Sequence, residues 1–124
     1  MQVRGSDFVM YPVKDMGQSL VFYRDTLGMV IEGEYAEGTW VELTASPTTL
    51  ALFQPEDPQN APPPGGASIA LAVENVDAAI GELEEKGVPV VWHTQESPVC
   101  YFAVVRDPDG NGIILHQRKD GTCG

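Results

Sequence analysis

Side chains that could perform chemistry are sparse in this sequence of 124 residues, which contains two histidines. His93 lies in the run HTQES, and His116 lies near the end of the run DPDGNGIILHQ. A neutral imidazole can bind a metal ion, and near neutral pH it can also exchange a proton. His116 with Glu42 or Gln54 is one candidate cluster, and His93 with Glu96 is a second. Neither has a spacing typical of a metal motif, so the favoured interpretation of His116 is a hydrogen-bonding group in the wall of a pocket.

The two cysteines offer a second type of chemistry. Cys100 would become a nucleophile if a nearby histidine took up its proton. However, Cys100 lies in an apolar run and Cys123 in the polar tail, a spacing that suggests no disulfide framework. We therefore expect two free thiols in a reducing cytoplasm, with Cys100 serving as a small buried apolar residue.

The net charge of the chain limits the kinds of molecule that it is expected to bind. The chain carries 18 acidic and 7 basic residues, which give a formal net charge of -11. Binding to nucleic acid needs clustered lysine and arginine, which this chain lacks, so we expect no nucleic-acid partner. An acidic surface instead attracts cationic small molecules. The N-terminus has no apolar leader and no run is long enough to span a bilayer, so we expect a cytoplasmic protein with no membrane partner.

The order of elements repeats once along the chain. The first half has a strand over 7–13 and a helix over 14–28, and the second has a strand over 68–73 and a helix over 74–87. Apolar residues at three- and four-residue spacing predict one buried stripe on each helix: Met16, Leu20, Tyr23 and Leu27 on the first, and Val76, Ile80 and Leu83 on the second.

Three short strands are predicted after each helix: MVIEGEY, TWVELTA and TLALFQ in the first half, and VPVVWH, CYFAVVR and GIILHQ in the second. The predicted fold class is therefore α+β, built from two tandem β-α-β-β-β modules within one structural domain. The modules cover 1–54 and 68–124, with a short C-terminal tail, and a linker rich in proline and glycine covers 55–67. A sheet with one helix behind it leaves a face uncovered, so we expect the two modules to form a curved sheet around a concave pocket.

Local signals place the ends and faces of several elements. The side-chain oxygens of Asp15 and Asn75 can accept from the first free amides of the helices, which predicts two N-caps. In DPDGN, Gly110 is expected to take a positive φ angle in a tight hairpin turn. Alternation along 7–13 predicts a helix-facing set and a pocket-facing set: Val9, Tyr11 and Val13, and Phe8, Met10 and Pro12.

The stretches VKDMGQSLVFYRDTLGM and VVRDPDGNGIILHQ, with the paired halves, resemble the vicinal oxygen chelate superfamily. This superfamily includes glyoxalase I, extradiol dioxygenases, fosfomycin resistance enzymes and bleomycin resistance proteins. The resemblance spans almost the whole chain and implies the fold, but it implies no single function because the helix stripe and the turn are fold-forming features. Sheet edges and faces left uncovered by such modules lead us to expect a homodimer, with modules paired within a chain or exchanged between chains.

The resemblance also indicates where metal-dependent members place their ligands, on the first and last strands of each half. The matching positions here hold Phe8, Ala51, Ser68 and Ile114. A phenyl ring and alkyl groups have no lone pair for a divalent ion, and a single serine hydroxyl is a poor ligand. We therefore expect no metal at these positions and no other cofactor.

The favoured function is binding of a small molecule, an antibiotic or a metabolite, in an aromatic pocket without a metal, as in bleomycin resistance proteins. Apolar and aromatic side chains are typical of such pockets. The predicted ligand-binding residues are Phe8, Met10, Trp40, Glu42, Phe53, Trp92, Phe102, Ile114 and His116. The alternative is a metal-dependent lyase, isomerase or dioxygenase of the same superfamily, with a site relocated around His116 and an acid such as Glu42 or Glu96. The sequence assigns no catalytic residue and does not identify the ligand.

Overall fold

A computed structural model describes residues 1–2, 4, 6–57, 59 and 63–123 of the chain. The chain forms two compact units, Met1–Pro63 and Pro64–Gly124. Each unit contains a four-stranded mixed sheet and one main helical segment, so the predicted α+β class and the repeated β-α-β-β-β order are confirmed. Residues 58 and 60–62 of the predicted linker lie outside the described part of the chain. The concave pocket stays a prediction.

The first unit has the strand order β1-β4-β3-β2. Its elements are β1 (Val9–Pro12), α1 (Met16–Leu20), a π-helical segment (Val21–Thr26), β2 (Ile31–Tyr35), a 3-10 turn (Ala36–Gly38), β3 (Trp40–Ala45) and β4 (Thr48–Phe53). Strand β1 runs parallel to β4, and the remaining pairs are antiparallel. Alternation along β1 is as predicted, because Tyr11 is buried whereas Phe8 and Met10 are 47% and 40% exposed.

The second unit repeats this order as β5-β8-β7-β6. Its elements are β5 (Ile69–Ala72), α2 (Val76–Glu85), β6 (Val90–Glu96), β7 (Cys100–Arg106) and β8 (Gly112–Arg118). The prediction that the β6 strand ends at His93 was wrong. The strand continues because Gln95 and Glu96 still pair with Phe102 and Tyr101 of β7.

Buried apolar side chains form the core of each unit, between the sheet and its helix. They are Tyr11, Val13, Met16, Phe22, Tyr23, Val41, Leu43, Leu50 and Leu52 in the first unit, and Ile69, Val76, Ile80, Leu83, Ala103, Val105, Ile113 and Leu115 in the second. Along each strand these residues alternate with side chains of the opposite face. We call this opposite face, turned away from the helix, the open face of the sheet.

The predicted N-caps are both confirmed. The Asp15 side chain accepts from the N–H of Gln18 at 3.1 Å, and the Asn75 side chain accepts from the N–H of Ala78 at 2.8 Å. Each cap satisfies an amide that the first helical turn leaves unpaired. Within the described residues, no helix has the length and apolar character needed to cross a membrane.

The first helix differs from the regular amphipathic helix predicted over 14–28. From Val21 to Thr26 it has π-helical hydrogen bonding. A π-helix turns through a smaller angle per residue, so neighbouring side chains can face the core together. Phe22 and Tyr23 are accordingly both buried, with ring centroids 5.1 Å apart, whereas the predicted stripe contained only Tyr23.

The DPDGN turn joins β7 to β8. Gly110 has the expected positive φ, 88°, and its N–H donates to the carbonyl of Asp107 at 3.0 Å. One carboxylate oxygen of Asp107 accepts from the N–H groups of Asp109 and Asn111 at 2.9 and 2.8 Å. The other accepts from the Asn111 side-chain amide at 2.8 Å. This buried network sets the register of β8, and therefore which of its side chains reach the open face.

Candidate functional site

The open face of the first sheet gathers five of the predicted ligand-binding residues: Phe8, Met10, Trp40, Glu42 and Phe53. In the strand register Met10 lies beside Ala51, and Ala51 lies beside Glu42. Phe53 lies between Pro12 and Trp40. Because side chains opposite each other in adjacent strands share a face, this register places all of these side chains on the open face.

Three aromatic rings form a cluster on this face. The rings of Phe8 and Trp40 are 5.5 Å apart between centroids and nearly perpendicular, at 85°. The rings of Trp40 and Phe53 are 5.9 Å apart and tilted by 48°. Both separations lie in the range favoured by aromatic pairs. The cluster is an apolar surface that is partly accessible to solvent.

Glu42 adds one acidic group to the aromatic cluster. Its Oε1 accepts a hydrogen bond from the indole Nε1 of Trp40 at 3.0 Å, and the pair is partly buried. Trp40 and Glu42 are two residues apart on β3, so their side chains leave the same face of the strand. This hydrogen bond holds the carboxylate next to the rings.

Sequence reasoning missed a close approach on the neighbouring strand. A Cβ atom added to Gly33 would lie 2.6 Å from the hydroxyl oxygen of Tyr35, because the Tyr35 ring lies over this glycine. Gly33 pairs with Glu42 in the sheet, next to an irregularity in the β2–β3 register. The isolated glycine in IEGEY was the available signal, since glycine within a strand often marks a bulge or a close contact.

The open face of the second sheet carries the other four predicted residues. His116 lies between Ala72 and Phe102, and Ile114 lies between Ala70 and Val104. Trp92 lies opposite Val104 on the edge strand β6 and is 58% exposed. The imidazole of His116 has no hydrogen-bond partner among the described residues, so both of its nitrogens remain able to bond to a ligand.

Cys100 lies on this face as well, and it is half-buried, not buried as predicted. Its sulfur contacts the Ser97 hydroxyl at 3.1 Å, in the turn between β6 and β7. No histidine is hydrogen-bonded to it in the described part of the chain. Cys100 and Cys123 are both free thiols, as expected.

The cluster of His93 with Glu96 is not formed. Nε2 of His93 lies 3.0 Å from a carboxylate oxygen of Glu84 on α2. Glu96 instead accepts a hydrogen bond from Lys119 at 2.6 Å, which lowers the pKa of this carboxyl group below its ordinary value. The two side chains therefore have different partners, and the register of β6 against β7 shifts between Trp92 and Gln95, so alternation along this strand does not bring them together.

Gln54 has a structural role. Its side-chain oxygen accepts from the N–H of Met16 at 2.7 Å, and the oxygen of Gln117 accepts from the N–H of Val76 at 3.0 Å. Each glutamine satisfies an amide at the start of its helix. The signal was present in the sequence, since TLALFQ and GIILHQ both end in glutamine.

A family model described as the Glyoxalase/Bleomycin resistance protein/Dioxygenase superfamily matches residues 5–115. The chain belongs to this superfamily. Among curated proteins, an uncharacterized protein of Mycolicibacterium smegmatis (strain ATCC 700084 / mc(2)155) is 29% identical over 109 residues. The match covers 87% of this chain and 89% of that protein.

Solved structures of superfamily proteins share the fold. The antibiotic binding protein TnmS3 from Streptomyces sp. CB03234 is 27% identical, with a TM-score of 0.73. The match covers 95% of this chain and 100% of that chain. A member from Sphaerobacter thermophilus DSM 20745 is 25% identical with a TM-score of 0.75, covering 93% and 98%. Lactoylglutathione lyase from Agrobacterium tumefaciens is 22% identical with a TM-score of 0.73, covering 94% and 96%, a likeness that concerns the fold.

The four positions at which the resemblance predicts metal ligands do not carry groups that fit a divalent ion. Phe8 packs edge-on against Trp40, and Ala51 is fully buried. Ser68 and Ile114 supply one hydroxyl group and one alkyl group. Within the described residues, no group of three or more His, Cys, Asp or Glu could hold a metal ion.

Proposed function

We propose that this superfamily member binds a small organic molecule, an antibiotic or a metabolite, without a metal. The observation that carries the proposal is the aromatic cluster of Phe8, Trp40 and Phe53, on the face of the first sheet that the helix does not cover. Exposed apolar surface costs free energy in water and is usually retained where a ligand or partner covers it. TnmS3, a structural relative at 27% identity, is an antibiotic binding protein, which supports this class of ligand.

Flat aromatic compounds fit this surface best. Rings of such a ligand can stack on Trp40 and Phe53 and remove apolar area from water. Met10 is 40% exposed beside them and offers a flexible, polarizable side chain that can adapt to ligands of different shape.

Tryptophan fluorescence can test the proposal on each sheet separately. The chain has two tryptophans, so Trp92→Phe leaves Trp40 as the reporter and Trp40→Phe leaves Trp92. Titration of Trp92→Phe with glycopeptide and quinone antibiotics is expected to quench Trp40 emission in a saturable manner with at least one compound. For that compound we expect Trp40→Phe to bind about 10-fold more weakly, because an interface aromatic contributes on the order of 1–2 kcal/mol.

N-acetyltryptophanamide under the same titration controls for absorption of light by the ligand. Absence of saturable quenching with every compound would contradict the proposal. Metal analysis of protein purified without chelator tests the alternative enzyme function. Stoichiometric zinc, nickel, manganese or iron that disappears in His116→Ala would show that a metal site exists after all.

We also propose that the chain forms a homodimer. Strands β2 and β6 each end a sheet, and they carry exposed apolar side chains, with Tyr35 at 55% and Trp92 at 58%. Two acidic chains repel each other, so dimerisation is expected to strengthen as salt screens this repulsion. Light scattering at low and high ionic strength measures the mass, and a monomer mass at both would overturn this proposal.

A further inference from the structure

We propose that the ligand of the first open face is an organic cation, and that the carboxylate of Glu42 recognises its charge. This inference rests on the proposed function and specifies the chemical class of the ligand. It concerns one carboxylate, placed next to three aromatic rings on a single sheet.

Among the described residues, the Glu42 carboxylate has one hydrogen-bond donor, and this donor is neutral. Glu42 is partly buried, and one of its oxygens accepts from the Trp40 indole at 3.0 Å. No other hydrogen bond or ion pair reaches Glu42 from the described residues. A carboxylate that is partly removed from water and bonded to only one neutral donor is incompletely compensated. A positively charged group of a ligand would supply the missing partner.

The strands of the sheet that carries Glu42 are acidic. Strands β1 to β4 contain three glutamates, Glu32, Glu34 and Glu42, and no lysine, arginine or histidine. Strands β5 to β8 differ, because they contain two arginines and two histidines but one glutamate. The strands of the first sheet therefore carry a net negative charge, which favours cations near them.

The aromatic rings beside Glu42 also favour a cation. The faces of tryptophan and phenylalanine attract cations through their π-electrons, and tryptophan does so most strongly. The indole N–H of Trp40 is bonded to Glu42, which orients the ring and the carboxylate together. A flat aromatic cation could then stack on the rings and pair with the carboxylate at once, whereas a neutral ligand would use only the rings.

The experiment compares two probes of nearly the same shape, 10-methylacridinium and acridine, in slightly alkaline buffer where only the first is charged. Isothermal titration calorimetry gives their affinities for the wild-type protein and for Glu42→Gln. Glutamine keeps an oxygen that can accept from Trp40, so this variant removes the charge and retains the arrangement of the rings. We expect the wild type to prefer the cation by about 10-fold, and Glu42→Gln to lose most of this preference.

Glu34→Gln is the matched control, since it removes the same charge from the same sheet. Glu34 is exposed and pairs with Val41, whose side chain lies in the core, so it belongs to the opposite face. We expect Glu34→Gln to retain the wild-type preference, and its circular dichroism and that of Glu42→Gln to match the wild type.

The outcomes separate this inference from the proposed function. Equal affinity for both probes, or a preference for the cation that persists in Glu42→Gln, would overturn the recognition by Glu42 while leaving aromatic binding intact. An equal loss of preference in Glu34→Gln would assign the effect to net charge and also overturn it. If neither probe binds the wild type while a panel antibiotic quenches Trp40, the proposed function stands and the cation inference is wrong. If neither the probes nor any panel antibiotic binds, both the proposed function and the cation inference are wrong.

Discussion

Asp107→Ala is expected to lower the free energy of unfolding by about 3 kcal/mol. The carboxylate of Asp107 is buried and accepts three hydrogen bonds within the DPDGN turn, from two main-chain N–H groups and one side-chain amide. Alanine would leave the N–H and the amide of buried Asn111 without these partners, and an unsatisfied buried donor costs more than a hydrogen bond contributes. Urea denaturation followed by circular dichroism measures the change.

Asp120→Ala is the control for this prediction. Asp120 accepts two hydrogen bonds from Thr122, at 2.9 and 2.7 Å, in a similar turn that is exposed to water. Hydrogen bonds from Thr122 lower the pKa of the Asp120 carboxyl, yet water can replace them, so we expect a small loss of stability. Asp107→Asn is expected to lose less than Asp107→Ala, because its amide oxygen still accepts from the main chain. Equal effects of Asp107→Ala and Asp120→Ala would show that burial of the turn is unimportant.

Much of the fold follows from local rules. Alternation separated Phe8 and Met10 from Tyr11 because successive strand residues face opposite sides whatever the tertiary context. The turn at Gly110 could be predicted because only a residue that tolerates positive φ suits it. TLALFQ and GIILHQ are the last strands of their halves, so the sequence predicts that Ala51 and Ile114 occupy the same position in the two units. In the structure they lie beside Met10 and Ala70, at equivalent places on β1 and β5.

Other features of the structure depend on contacts between elements, which the local sequence pattern does not predict. The π-helical segment over Val21–Thr26 could not be distinguished from an α-helix, because the spacing of apolar residues does not reveal whether each N–H bonds four or five residues back. The contact of His93 with Glu84 depends on how α2 crosses β6, and so does the lack of a His93–Glu96 cluster among the described residues. The Trp40–Glu42 hydrogen bond lies between these cases, because alternation puts both side chains on one face while their rotamers decide whether they meet.

The sequence predicted nine ligand-binding residues as one set. In the structure, five of them lie on the first sheet and four on the second. The first sheet brings together the rings and one carboxylate, and the second brings together Trp92, Phe102, Ile114 and His116. The chemistry of the two faces differs, because the first carries aromatic rings and a carboxylate, whereas the second carries His116, whose imidazole has no hydrogen-bond partner among the described residues.

Leu52→Ala is expected to lower the free energy of unfolding by about 3 kcal/mol while changing ligand affinity less than about 2-fold. Leu52 is fully buried and pairs with Tyr11 and Val41 in the core, so truncation removes apolar contacts and leaves a cavity. Its neighbour in sequence, Phe53, faces the other way, and the strand holds both in place by the same main-chain hydrogen bonds. Val30→Ala, at a residue that is 66% exposed, is the control and should change stability by less than about 0.5 kcal/mol. A large loss of affinity in Leu52→Ala at temperatures where the protein remains folded would mean that the ligand contacts the helix-facing core, and would contradict a site on the open face.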